Sequence, residues 1–263
     1  MSYGPRPWQQ TSWDWRAAAN FMLGGTGAGL IVAAGVVQDE TQYPVMLGLA
    51  LVAAGLGAVW LEIGRKLRAL HVFFNPFTSW MTRESLAALM LFGFGISFLI
   101  FNQTGLQFVA AMAALAFLYC QGRILRAAKG IPAWRAPQVV TLIMTTGLVE
   151  GTGLLMLMNL DLLVTSLFTA AVIARGFAWS GYRAALRQPA IRAALEPAGK
   201  ALIRIGTLAP LALVLGGIFL PQAAILAAIA AILAGWWLKF VLVTRAALNQ
   251  GFSLPQLPVR GTR

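Results

Sequence analysis

Eight long apolar runs, each bounded by polar or charged residues, make up most of the chain. A helix needs about 20 apolar residues to cross the roughly 30 Å hydrocarbon core of a bilayer. Runs of about that length cover residues 17–37, 44–64, 85–101, 106–122, 139–158, 162–182, 203–220 and 222–244. Backbone amides at membrane depth have no water to bond, so each run is expected as a helix rather than a strand. The pattern predicts an all-α integral membrane protein: one membrane domain over residues 1–263, eight transmembrane helices in two four-helix units, and both termini on the same side. The first run is expected to stay as a helix rather than act as a removable signal, because Trp13, Asp14, Trp15 and Arg16 precede it and no small-x-small cleavage site follows.

Composition agrees with the pattern. The chain is 59% hydrophobic and 11% charged, with a mean hydropathy of +0.75, whereas a soluble domain carries roughly 25% charged residues. The cations alternate. Arg6 and Arg16 precede the first run, and Arg65, Lys66, Arg68 and Arg83 lie between the second and third. Arg123, Arg126, Lys129 and Arg135 lie between the fourth and fifth, Arg183 to Arg204 between the sixth and seventh, and Arg245, Arg260 and Arg263 after the eighth. The other connections hold Asp39, Glu40 and Asp161 but no cation. Excess Lys and Arg mark cytoplasmic loops, so the termini are expected in the cytoplasm of a cell whose inner membrane holds the protein. The net charge of +12 is thereby explained by topology and anionic-lipid contact, and nucleic-acid binding is not expected. All nine tryptophans fall toward the cation-rich end, more than an anchoring belt at both interfaces requires. A docking surface or an aromatic-lined pocket at that end explains the imbalance.

Candidate chemistry is sparse. His71 is the only histidine, which excludes a bis-histidine haem, and Cys120, the only cysteine, cannot hold a zinc ion or an iron–sulfur cluster alone. Gly24 to Gly29, GGTGAG, lacks the strand and the Lys-Ser/Thr of a phosphate loop. Gly25 and Gly29 have the spacing that lets membrane helices approach closely, with space beside a flat ligand as the alternative. Charges inside a bilayer are expensive and usually functional. At 1.5 Å per residue, Glu150 lies roughly 18 Å from the cytoplasmic end of its helix and Arg175 roughly 20 Å from the outer end of the next. The two are expected to form a buried ion pair, either fixing helix register or serving as a proton relay flanked by Thr146 and Gly153. Nearer the cytoplasmic end, Asn20, Glu62 and Lys239 are expected to converge, with Arg16, Asn20 and Gly24 on one helix face. An apolar slot with hydrogen-bond donors and a carboxylate or histidine suits a quinone.

The segment 61–84, LEIGRKLRALHVFFNPFTSWMTRE, joins the second and third runs. Asn75-Pro76 breaks any preceding helix, Thr82 is expected to cap the third helix, and Glu84 to favour its first turn. The basic and aromatic loop is expected as an ordered surface where a partner docks through Arg65, Lys66, Arg68, Asn75, Trp80 and Arg83.

This segment resembles the signature loop of the membrane anchor subunits of molybdopterin oxidoreductases, the polysulfide reductase and dimethyl sulfoxide reductase anchor family. In that family an acidic residue or histidine precedes Leu-Gly-Arg-Pro, followed by Asn-Pro and Ser-Trp-x-Ser-Arg-Glu. Here the corresponding residues are Glu62, Ile63, Gly64, Arg65 and Lys66, then Asn75 and Pro76, then Ser79 to Glu84, with Lys66 in place of proline and Thr82 in place of serine. The glycine-rich first helix from Asn20 to Gly25 and the tail KFVLVTRAALNQGFSLPQLP at 239–258 are also similar to the family. The resemblance implies a haem-free bundle with a quinone site, ubiquinone or menaquinone, near Asn20, Glu62 and His71. It also implies a four-cluster iron–sulfur subunit as partner, wired to a catalytic subunit with a molybdenum or tungsten pterin; clusters and pterin belong to those partners. Many relatives carry their catalytic subunits outside the cytoplasmic membrane, on the side of the anchor's termini, whereas the cations here put that side inside. The competing reading is a secondary transporter coupled through Glu150 and Arg175, against which few helices are interrupted at mid-depth, Pro210 excepted. A purely structural anchor without a quinone site is the third.

Overall fold

The computed structural model describes residues 8–38, 41–63, 71–217 and 220–250. Arg65, Lys66 and Arg68, assigned above to partner docking, lie outside the described residues. Among the described residues there are eight helices long and apolar enough to cross a membrane: α1 Trp15–Val37, α2 Tyr43–Glu62, α3 Trp80–Phe101, α4 Thr104–Ala127, α5 Gln138–Met158, α6 Leu162–Ala185, α7 Pro189–Gly216 and α8 Gln222–Arg245. The described residues include no strand, and an isolated bridge pairs Gln9 with Leu248.

Four helices are inner and four outer. In α1, α4, α5 and α8 half or more of the apolar window is buried within the protein, against a third in α2, α3, α6 and α7. The outer helices turn Leu89, Ile100, Phe177 and Leu215 outward, a surface suited to lipid and not to water.

Glycine decides how closely the inner helices approach. A Cβ on Gly29 of α1 would strike the carbonyl of Gly147 in α5, and one on Gly151 would strike the backbone of Gly29. Gly25-xxx-Gly29 therefore crosses Gly147-xxx-Gly151, small stripe on small stripe. Gly29 fulfils the packing expectation, while Gly25 faces the ammonium of Lys239. Gly151→Ala puts a methyl against backbone that cannot rotate away and is expected to cost about 1–3 kcal/mol. Gly57→Ala, whose added methyl meets nothing within 4 Å, is the control, and thermal melting of the detergent-solubilised chain compares the two.

Among the described residues three π-helical segments interrupt the bundle, at Asn20–Gly24, Arg204–Leu208 and Val241–Arg245. A π turn displaces carbonyls from the regular ladder, and in each segment a side chain from another helix or turn takes one. Gln121 Nε2 donates to Asn20 O at 3.0 Å, Arg175 Nη2 to Gly206 O, and Trp134 Nε1 to Leu242 O at 2.9 Å.

Several boundaries differ from those the sequence suggests, three of them with consequences for placed residues. The third helix begins at Trp80, not at 85, and its cap is Ser79, whose hydroxyl accepts from the Thr82 amide at 3.3 Å. Thr82 is instead buried inside the helix, and Glu84 lies past its first turn. The second helix stops at Glu62, which is its last residue and not a turn inside it. The seventh starts at Pro189, 14 positions before 203, because the first half is amphipathic: Ile191, Leu195, Ala198 and Leu202 form a buried stripe while Arg192, Pro197 and Lys200 stay exposed. A hydropathy run misses a helix with only one apolar face. Pro197 sits on the exposed side.

Candidate functional site

A cleft of about 440 Å³ opens among α1, α2 and α3 at the end where α1 begins, within the range of small-molecule sites. Its walls are aromatic and aliphatic, including Trp13, Phe21, Leu56, Val59, Trp60 and Met81, and its polar groups are Ser12, Asn20, Glu62, Glu84 and Ser85. Local structure explains the placement. Asn20 opens the first π segment. Glu84 falls in phase with Ala87, Ala88 and Leu91, so the helical period carries its carboxyl to the buried face of α3. Asn20 Nδ2 donates to Glu84 Oε1 at 3.3 Å, while Asn20 Oδ1 has no hydrogen-bond partner. At the rim, Asp14 caps α1 by accepting from the Arg16 amide at 2.8 Å and pairs with the Arg16 guanidinium. Those bonds hold the Asp14 carboxyl below its ordinary value, the side-chain bond to Arg16 contributing most. Arg16 in turn donates to Leu61 O at 3.3 Å, tying α1 to the end of α2.

A second polar cluster lies in the interior. Lys239 Nζ donates to Glu150 Oε2 at 2.6 Å, both side chains fully buried. Thr26 Oγ1 stands 2.9 Å from the same oxygen, accepts from Trp236 Nε1 at 2.9 Å, and has the Met22 carbonyl at 2.8 Å. A hydroxyl has one proton, so Thr26 donates to either Glu150 or Met22 at a given moment. Arg175, equally buried, donates Nη1 to Ala231 O at 2.9 Å and Nη2 to Gly206 O.

The expected pairing of Glu150 with Arg175 is therefore corrected: the ion pair is Glu150–Lys239. α5 and α6 are packed neighbours, but α8 lies against α5 as well; the carboxylate bonds to Lys239 of α8, while the guanidinium, close by beside Gly235, donates to backbone carbonyls instead. A transporter coupled through a Glu150–Arg175 pair loses the contact on which it rested.

Lys239 also leaves the quinone set, since it is engaged with Glu150 and does not line the cleft. His71 sits in an exposed turn, 5.6 Å edge-on to Phe74, and Val72 rather than His71 faces the cleft. Asn20 and Glu62 are brought together as expected, and Glu84, read above only as a helix-start residue, joins them. Its phase with Ala87, Ala88 and Leu91 was the available signal. Gln121, fully buried and in phase with Phe117, Leu118, Ile124 and Leu125, was missed for the same reason. Of the docking residues described, Trp80 lies between two guanidinium groups, Arg83 at 4.2 Å and Arg123 at 4.1 Å. Arg83 also ties down the turn after Asn75, donating to Pro76 O at 2.8 Å and Phe77 O at 2.7 Å. Phe74 and Phe77 remain exposed beside it.

Fold and cleft together define a class: an all-helical protein with eight helices able to cross a membrane, as a multi-pass membrane protein has, and a side pocket holding two carboxyls among aromatic walls. Compared with known proteins, the chain matches no family model and no curated sequence.

Proposed function

We propose that the chain is the haem-free membrane anchor of a molybdenum or tungsten iron–sulfur oxidoreductase, exchanging electrons between a partner iron–sulfur subunit and membrane quinone. The observation that carries this reading is the cleft. Glu62, Ile63, Val72, Met81 and Glu84, five residues of the stretch that bears the family resemblance, line it together with Asn20. A quinone bound there would supply a two-electron, two-proton couple. The residues of the chain supply the rest: Trp13, Phe21 and Trp60 keep water from a flat ring, and the carboxyls of Glu84 and Glu62 hold or release a proton at its oxygens. Asn20, oriented by its bond to Glu84, adds a hydrogen-bonding group.

The partner docks on the face carrying Trp80, Arg83 and Asn75; Arg65, Lys66 and Arg68, outside the described residues, belong to the same proposed docking set. Exposed Phe74 and Phe77 beside stacked arginines give that face the aromatic and cationic character of interface centres. In this reading the bundle is two four-helix units facing each other. α1 packs on α2 and α4, α3 on α4, α5 on α6 and α8, and α7 on α8, with α1 against α5 joining the halves. Both ends lie together, supported by the amide of Gln10 donating to Ala247 O at 3.0 Å and that of Asn249 to Trp8 O at 2.8 Å, and the excess of Lys and Arg at that end assigns it to the cytoplasmic side of the inner membrane.

The test is the metal content of what co-purifies with the chain from native membranes in mild detergent. Stoichiometric iron with molybdenum or tungsten is expected. A folded, metal-free preparation without bound soluble subunits would sink the proposal.

A further inference from the structure

The amphipathic first half of α7 meets two environments. Its buried stripe, with Ile191, Leu195, Ala198 and Leu202, leans on α8, while the contact with α6 is light. Two adjoining hollows, of about 160 Å³ and about 500 Å³, lie in the groove between α6 and α7. They share Trp179, Arg183, Glu196 and Ile203 as walls; the smaller adds Lys200 and Arg204, the larger Ser180, Ala184 and Arg192. Among the described residues four cations thus stand around one carboxylate. Glu196 lies 3.4 Å from Arg183 Nη2 and 3.4 Å from Lys200 Nζ, exposed pairs too loose to hold either cation firmly. Arg192 turns its Nε to Leu186 O at 2.7 Å, and Arg204 pairs with no carboxylate among the described residues.

Toward the middle of the bundle the polar lining ends. The indole of Trp179 is buried at the base of both hollows, against Gly199, where a Cβ would strike its ring. One helical turn beyond Ser180 stands exposed Phe177 of α6, and one turn beyond Arg204 stands exposed Leu208 of α7. Both helices are outer ones, so this apolar continuation of the groove faces lipid. Cations at the membrane's edge and apolar side chains below them match an amphiphile. A soluble anion or an acidic protein segment would leave the apolar part unmatched.

We propose that the α6–α7 groove binds an anionic glycerophospholipid. Its phosphodiester is held by Arg183, Lys200 and Arg204, the rest of its headgroup fills the larger hollow beside Arg192, and its acyl chains lie along Phe177 and Leu208. Phosphate oxygens accept from guanidinium and ammonium groups in strong, charge-assisted bonds, and basic pockets between membrane helices suit such headgroups. Glu196 keeps Arg183 and Lys200 at its two sides. The site shares no residue with the cleft and does not rest on the quinone reading.

The test is native mass spectrometry of the full chain, delipidated in mild detergent and titrated with phosphatidylglycerol or with phosphatidylcholine of the same acyl chains. Phosphatidylglycerol is expected to bind about tenfold more tightly. Lys200→Gln with Arg204→Gln should abolish that preference. Arg126→Gln with Lys129→Gln, an equal loss of charge at the end of α4, should keep it. Ala184→Trp fills the larger hollow without changing charge and should weaken phosphatidylglycerol binding severalfold. Equal losses from the two charge pairs would mean that the whole cation-rich face attracts anions, and would overturn the site. Complete displacement by inorganic phosphate would overturn it too, as the mark of a free-anion site. Should the Lys200 and Arg204 variant not fold, Ala184→Trp decides alone, and unchanged binding there ends the proposal.

Discussion

Replacing Lys239 by methionine is expected to cost about 3–5 kcal/mol, the penalty for leaving one member of a buried ion pair without its partner. Glu150 is held by Lys239 at 2.6 Å and by Thr26, with its second oxygen unpartnered. Removing the ammonium leaves the carboxylate with Thr26 as its hydrogen-bond partner, and the guanidinium of Arg175, beside Gly235, is already engaged with Ala231 O and Gly206 O. Folded proteins stand only about 5–15 kcal/mol above unfolding, so the variant should give little monodisperse protein in detergent and a sharply lowered Tm. The neutral double variant Glu150→Gln with Lys239→Met removes both charges and should recover most of that loss, because replacing a buried pair by uncharged groups of similar volume is often near neutral. Thermal melting of the two variants beside the native chain makes the comparison. A Lys239→Met chain as stable as the native one would show that Arg175 holds the carboxylate after all.

The second large effect concerns catalysis and not stability. Glu84→Gln keeps the volume and an oxygen for the Asn20 amide, so the fold should persist, yet it removes the deepest carboxyl of the cleft. General acid–base catalysis is worth roughly 10²–10⁴-fold, and on the proposed function quinol-linked electron transfer by the complex purified with its partner subunits should fall by about that range. Glu62→Gln is expected to lower it less, since Glu62 lies at the end of α2 and is partly exposed while Glu84 is buried. Steady-state rates with a short-chain quinol, set against partner-subunit activity with a soluble electron carrier, separate loss at the cleft from loss of assembly. A full quinol rate in Glu84→Gln would remove the cleft from consideration as the quinone site.

What the sequence by itself determined is the set of features that depend on short-range pattern. Eight apolar runs of membrane-crossing length, the tight turn between α3 and α4, and the packing role of Gly29 could all be read from it, because each follows from hydropathy or residue size along one segment. Asn20 and Glu62 were also legible as neighbours, both lying near the cation-rich ends of consecutive helices. The tertiary structure alone decided which charges meet. Depth counted along single helices matched Glu150 with Arg175 and left Lys239 nearer the cation-rich end; the choice fell to how α8 packs on α5, which no single-helix count contains. It also decided the role of Glu84, whose position in sequence suits a helix start but whose phase, once Ser79 rather than Thr82 fixes the beginning of α3, turns it into the cleft. The amphipathic half of α7 escaped because a helix with one wet face does not raise mean hydropathy. The π segments escaped because a displaced carbonyl is stabilised by a side chain from elsewhere in the fold, and that side chain is known only when the bundle is assembled.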